Sequence, residues 1–205
     1  MTFNPLPRDF YAPSAKVVAP RLLGHYLVRR TVEGFAGGPI VETEAYITND
    51  PGCHAFEGET NRNRSMFGEP GRSYVYLIYG FYHCFNTVCR ARGIGEAVLV
   101  RAIEASMGVE WMRENRPVET ETALTSGPGK LCVALDVDRK LDGVDLCDAN
   151  SAVFVAENPD VKNFRRKFGP RVTTTRIGLT QAADWPLRFY LAGSHFVSRK
   201  VKSRK

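Results

Sequence analysis

Short runs of β-branched and aromatic residues recur through the first half of the chain, broken at close intervals by glycine and proline. On that pattern residues 22–31, 40–46, 74–79 and 96–103 read as strands, the last a buried one because it is apolar almost throughout. The run Tyr74-Val75-Tyr76-Leu77-Ile78-Tyr79 closes at Gly80, and the chain resumes as Tyr82-His83-Cys84-Phe85-Asn86-Thr87-Val88. The two predict a protruding hairpin with Tyr79 at its tip. Phe35-Ala36-Gly37-Gly38-Pro39 reads as a break ahead of the 40–46 strand. Helices are predicted over 14–23, capped by Asp9 or Ser14, over 106–115, and over 127–135, capped by Ser126. Short strands near 152–156, 172–178 and 186–192 complete a mixed α/β fold, and no repeat or linker divides 1–205 into more than one domain.

A strand's period of two puts Glu42, Glu44 and Tyr46 on one face. Two carboxylates and a phenol there, with tyrosines on the hairpin, suggest a pocket for a flat ring. The competing readings are a solvated acidic face paired with Lys or Arg, and tyrosines that simply pack a core. The connection over 48–72 is too long for a plain loop, and His54, Phe56, Met66 and Phe67 make it too apolar for disorder. It reads as the ordered lining of a site. An aromatic ring on an exposed tip is costly in water unless a partner covers it, which marks Tyr79 as a contact residue.

Composition narrows the partner. The chain has 205 residues, long enough to bury a core unaided, and its 28 Lys and Arg against 22 Asp and Glu leave a charge of +6. That balance favours an anionic partner. Residues 198–205 hold five Lys and Arg, either a solvated tail or an arm that follows phosphates. The five cysteines (Cys53, Cys84, Cys89, Cys132, Cys147) are odd in number and lack CxxC spacing, so reduced thiols are expected rather than disulfides or a zinc ribbon. No run is apolar enough for a membrane span or a signal segment, and a soluble, cytoplasmic, monomeric protein is expected.

Familiar motifs fail. Gly93-Ile94-Gly95-Glu96-Ala97-Val98 lacks the third glycine of a dinucleotide fingerprint, and Gly129-Lys130 lacks the rest of a Walker loop. His25, His54, His83 and His195 are scattered, with nothing to place them as a metal set. What remains is an acid, a phenol, a histidine-bearing loop, an aromatic tip and a basic tail. An enzyme that extrudes a base from a duplex needs that combination: a wedge for the vacated stack, aromatic walls for the base, and an acid or base for the reaction.

Ordered blocks along nearly the whole chain resemble the alkyladenine (3-methyladenine) DNA glycosylase family of the mammalian type (AAG/MPG). They are Val41-Glu42-Thr43-Glu44-Ala45-Tyr46, His54 with Gly58, Thr60 and Arg62, Met66-Phe67, Pro70-Gly71, the run 74–80, Asn86, and Val98-Leu99-Val100-Arg101-Ala102. Further on come Ser126-Gly127-Pro128 with Lys130-Leu131, Arg176-Ile177-Gly178, and Pro186-Leu187-Arg188-Phe189-Tyr190. The resemblance implies a single mixed α/β domain with a curved antiparallel sheet, flanking helices and a protruding hairpin. It implies excision of damaged purines from double-stranded DNA without metal or organic cofactor.

Residue by residue, the resemblance makes Glu44 the base that activates water, and has Arg101 and the carbonyl of Ile177 place that water. Tyr46 would stack on one face of the flipped base, His54 and Tyr76 on the other. Asn86 would crowd the purine 2-position, and Tyr79 would enter the duplex. The segment between Tyr46 and His54 is one residue shorter than in the mammalian pattern and less acidic, and no eukaryotic-type extension precedes it, which reads as a bacterial-type minimal enzyme. If Tyr76 and Asn86 share a pocket, the hairpin must pair Ile78 with Tyr82 across a turn with an odd number of residues. Glu42 stays open as the acid. A lyase using Lys130 as a Schiff-base amine and a non-catalytic binder with a tyrosine platform stay open as rivals.

Overall fold

From the amino end the chain forms α1 (Ala15–Leu22), β1 (Tyr26–Thr31), β2 (Gly34–Tyr46), β3 (Ser73–Ile78), β4 (Tyr82–Cys89) and β5 (Glu96–Ile103). There follow α2 (Val109–Asn115), α3 (Glu121–Thr125), α4 (Pro128–Ala134), β6 (Val153–Ala156), α5 (Val161–Lys167), β7 (Arg171–Thr174) and β8 (Arg188–Leu191). These come from a computed structural model that describes residues 2–201; positions 202–205 of the basic tail lie outside the described residues. All ladders are antiparallel, and β2 is shared between them. Its first half pairs with β1, which carries β6 on its other edge; its second half pairs with β5 and β8. Beyond β5 come β4 and β3, and beyond β8 comes β7. Among the described residues no helix is long and apolar enough to cross a membrane.

The expected break at 35–39 is a correction: those residues belong to β2, the longest strand. The glycines allow close approach rather than a turn. A Cβ on Gly37 would stand 2.0 Å from the Leu27 carbonyl oxygen, and one on Gly38 would stand 1.8 Å from that of Glu104. Two caps also differ. Ser14 occupies the cap position of α1, but its hydroxyl donates to Glu96 at 2.7 Å, and Glu96 takes the Ala15 N–H at 2.8 Å. Burial works against that carboxylate, yet hydrogen bonds from Thr48, Ser14 and Ala15 outweigh it and hold its pKa below the usual range. At α4 the cap position is Gly127, at φ 145°, not Ser126. The helices α3 and α5 were not predicted; α5 has no fully buried residue, so no apolar stripe marks it.

Register positions the site. Tyr74 of β3 pairs with Asn86 of β4, Asn86 with Leu99 of β5, Leu99 with Glu44 of β2, and Glu44 with Arg188 of β8. Residues paired across a ladder share a face, so these five form one row across the sheet. One step along lie Tyr76 and Cys84; one step the other way lie Val88, Ala97 and Tyr46. The opposite face carries Ala45, Val75, Phe85, Val98 and Val100 and packs into the main core with α1 and α4. A bulge interrupts the β2–β5 ladder: Ala102 pairs with Glu42 and Val100 with Thr43, leaving Arg101 without a ladder partner.

Candidate active site

A cavity of about 520 Å³ opens on the Tyr74–Glu44 face, roofed by the 48–72 connection, the start of α4 and residues 177–179. That size suits a small flat ligand. The connection is ordered, as expected: Asn63 donates to the His54 and Gly58 carbonyls and accepts from Thr60, closing 54–63 on itself. The hairpin turn is Tyr79-Gly80-Phe81, three residues, with Ile78 opposite Tyr82. Tyr76 and Asn86 therefore face the same side, and both line the cavity.

Tyr46, His54, Tyr76, Tyr79, Asn86 and Arg101 all border this space. His54 packs edge-on to Tyr76, ring centroids 4.5 Å apart, and its Nδ1 is hydrogen-bonded to the Tyr74 hydroxyl at 2.9 Å. Burial first, then Arg62, lowers the His54 pKa and favours a neutral ring. Burial raises Tyr74 and Tyr76, and burial together with Glu44 raises Tyr46, so all three phenols keep their protons. Asn86 is held by its own amide, which donates to the Tyr74 carbonyl at 2.9 Å. Tyr79 stands at the tip, 75% exposed, in the left-handed region at φ 55°.

The two acids are not a solvated face; both are fully buried. Glu44 lies just behind the cavity wall and touches three of its residues. It accepts from the Ile177 N–H at 2.8 Å and the Tyr46 hydroxyl at 3.0 Å, and it makes an ion-pair contact with Arg101 Nη1 at 3.2 Å. Glu42 accepts four hydrogen bonds, from Arg101 Nε (3.1 Å), Arg188 Nε (2.7 Å), Ser198 N–H (2.7 Å) and Ser198 Oγ (2.9 Å). Three of these bonds fall on Oε1, and of the residues that line the cavity Glu42 bonds only to Arg101. Glu44 accepts one hydrogen bond on each oxygen and lies against three lining residues, which leaves it room to accept from a water there. Burial pulls the Arg101 pKa down, but Glu44 and Glu42 outweigh it, and the guanidinium is firmly charged.

Sequence reasoning missed one pair. Asp50 and Arg176, both fully shielded, are joined through Arg176 Nη2 to Oδ1 at 2.8 Å and through a second, shorter bond from Nη1. Arg176 also donates to the Ala45 carbonyl, and its guanidinium carbon lies 4.7 Å from the centre of the Tyr46 ring. The pair ties the 48–72 connection to the segment after β7 and backs the Tyr46 ring. Arg176 stood in a quoted block; nothing in the sequence marked Asp50. Lys130 reaches the cavity edge but is exposed, unlike the desolvated amine a Schiff base needs. Among the described residues no three His, Cys, Asp or Glu side chains gather as a metal-binding set.

The slot is thus walled by aromatic rings, with a buried carboxylate and arginine at its floor. In comparison with known proteins, residues 9–195 match the family described as methylpurine-DNA glycosylase (MPG), and the chain belongs to that family. It is 45% identical to a protein of Carboxydothermus hydrogenoformans over 95% of this chain and 99% of the relative. It is 46% identical to one of Methanoculleus marisnigri over 95% and 99%, and 46% identical to one of Rhodopseudomonas palustris over 97% and 92%. All three carry the provisional name 3-methyladenine DNA glycosylase.

Proposed function

We propose that the protein is a DNA-repair hydrolase that flips an alkylated or deaminated purine out of duplex DNA and cleaves its N-glycosidic bond with a water activated by Glu44. Family membership and the names of the relatives support the activity. The observation that carries the mechanism is the position of Glu44: fully buried, directly behind the aromatic cavity, with acceptor capacity unspent and Arg101 beside it.

The extruded base enters between Tyr46 on one side and His54 with Tyr76 on the other, and each stacking contact of this kind is worth ~1–3 kcal/mol. Asn86 crowds the purine 2-position and disfavours guanine. Tyr79 fills the gap left in the duplex. The contact between Arg101 and Glu44 is an ion pair rather than an aligned hydrogen bond, so a water taken in between them gains bonds to both groups. As the glycosidic bond lengthens, positive charge builds on the sugar. Glu44 steadies that charge and takes a proton from the water; the water oxygen bonds to the sugar carbon, and the base leaves with the electrons of the old bond. General-base help of this kind contributes ~10²–10⁴-fold. A cationic alkylated purine departs as a neutral molecule and needs no further acid; a neutral deaminated purine must also take up a proton, from solvent water, as it leaves.

The reaction is monofunctional in this reading, carried out by a monomer with residues 1–205 acting as one domain. The exposure of Lys130 argues against a lyase, and a buried acid beside the slot argues against a passive single-strand binder, because a carboxylate repels phosphates. The test is excision from duplexes that each carry one defined lesion, run with the native protein and with Glu44→Gln.

A further inference from the structure

We infer that Glu42 and the carboxy-terminal segment around Ser198 form a clamp that positions Arg101 for the reaction. This rests on the glycosylase reading above but assigns residues that reading leaves without a role.

The bulge in β5 frees Arg101 from the ladder, so side-chain partners must fix its direction. Its Nε donates to Glu42 Oε1 at 3.1 Å, and its Nη2 donates to Ser198 Oγ at 3.4 Å. Only the remaining edge, through Nη1, meets Glu44. The clamp is itself anchored. Ser198 gives Glu42 both its N–H and its hydroxyl, Arg188 gives Glu42 its Nε and reaches the Arg199 carbonyl, and Val201 N–H donates to the Tyr190 hydroxyl at 3.1 Å.

The segment is thus sewn to β8 and to the floor of the cavity rather than lying free as a tail. Two buried carboxylates and two buried guanidinium groups balance in charge, so the cluster can persist away from water. Its geometry has a consequence for rate. Released from Ser198, Arg101 keeps its charge but can rotate about the Glu42 contact, carrying Nη1 away from the water it shares with Glu44. Ser198 and Glu42 are positioning residues: they touch neither base nor water and act through Arg101.

The test compares Ser198→Ala, Ser198→Thr and Glu42→Gln in the full chain, measuring single-turnover excision, affinity for a lesion-bearing duplex and the unfolding midpoint. Misplacing a reacting group costs on the order of 10–100-fold, so Ser198→Ala is expected to slow excision ~10-fold with affinity and midpoint within about twofold and a few degrees of the native protein. Ser198→Thr, which keeps the hydroxyl, restores the rate. Native-like excision by Ser198→Ala overturns the clamp, as does a parallel loss of rate and affinity, which would make the segment a DNA-contacting arm. If Glu42→Gln does not fold, the Ser198 pair decides alone. Glu44→Gln run beside them keeps the two readings apart: an inactive Glu44→Gln with a full-rate Ser198→Ala sinks only the clamp.

Discussion

Asp50→Asn is the most demanding test of how the slot is built. Asp50 takes both terminal nitrogens of Arg176, and neither side chain touches solvent. Asparagine leaves the guanidinium one amide oxygen and the Ala45 carbonyl, turns an amide NH₂ toward it, and removes the charge that balances it; among the described residues its Nε has no partner. Breaking a buried pair by removing one member costs about 3–5 kcal/mol. For a chain of this size each kcal/mol lowers the melting temperature by about 2–4 °C, so a fall of roughly 6–20 °C is expected. Urea unfolding followed by tryptophan fluorescence measures the free-energy loss and thermal unfolding the shift in midpoint, Trp111 and Trp185 being the two reporters. The double variant Asp50→Asn/Arg176→Met, with no charge left to strand, should recover much of the loss. A penalty below about 1 kcal/mol for Asp50→Asn, with an unchanged denaturant slope, would refute the reasoning, because the pair would then have to be solvated. The variant should also bind a lesion duplex less tightly, since Arg176 backs the Tyr46 ring.

His25 is buried, and burial first, with Arg165 and Arg21 adding to it, lowers its pKa to about 4. The unfolded chain takes up a proton near pH 6.5 and the folded one only near 4, so this group's contribution is full above 6.5 and is lost as pH falls through that window. The stability gap between native protein and His25→Gln should shrink by about 3 kcal/mol between pH 7 and 4; a gap independent of pH contradicts the assignment. Tyr79→Gly removes a ring that the fold leaves exposed and relieves its left-handed backbone. Stability should stay within about 1 kcal/mol of native while excision from a well-paired lesion slows ~10-fold or more, and equal excision would remove Tyr79 as the wedge.

Local chemistry made much of this legible in advance. The hairpin strands and the 96–103 strand follow from runs of β-branched, aromatic and apolar residues. The odd turn follows from strand alternation once the resemblance puts Tyr76 and Asn86 in one pocket, because one step of register would have sent them to opposite faces. What could not be read depends on partners distant in sequence. Gly37 and Gly38 look like a break until the carbonyls of Leu27 and Glu104 are seen against them. The cap of α1 is Glu96, 81 residues beyond Ala15, and the partner of Asp50 is 126 residues away. At the site, Glu42 and Glu44 were equivalent by period alone. The resemblance alone favoured Glu44; the donors that hold Glu42 could not be read, because two of the four come from Ser198, 156 residues on.

The most direct measurement is single-turnover excision by Glu44→Gln on a duplex with one alkylated purine, alongside the affinity of the same variant for that duplex. Glutamine keeps the shape and the contacts to Ile177 and Tyr46 but cannot accept the proton. The account predicts a loss of ~10²–10⁴-fold in rate with affinity retained. Excision at the native rate would contradict it.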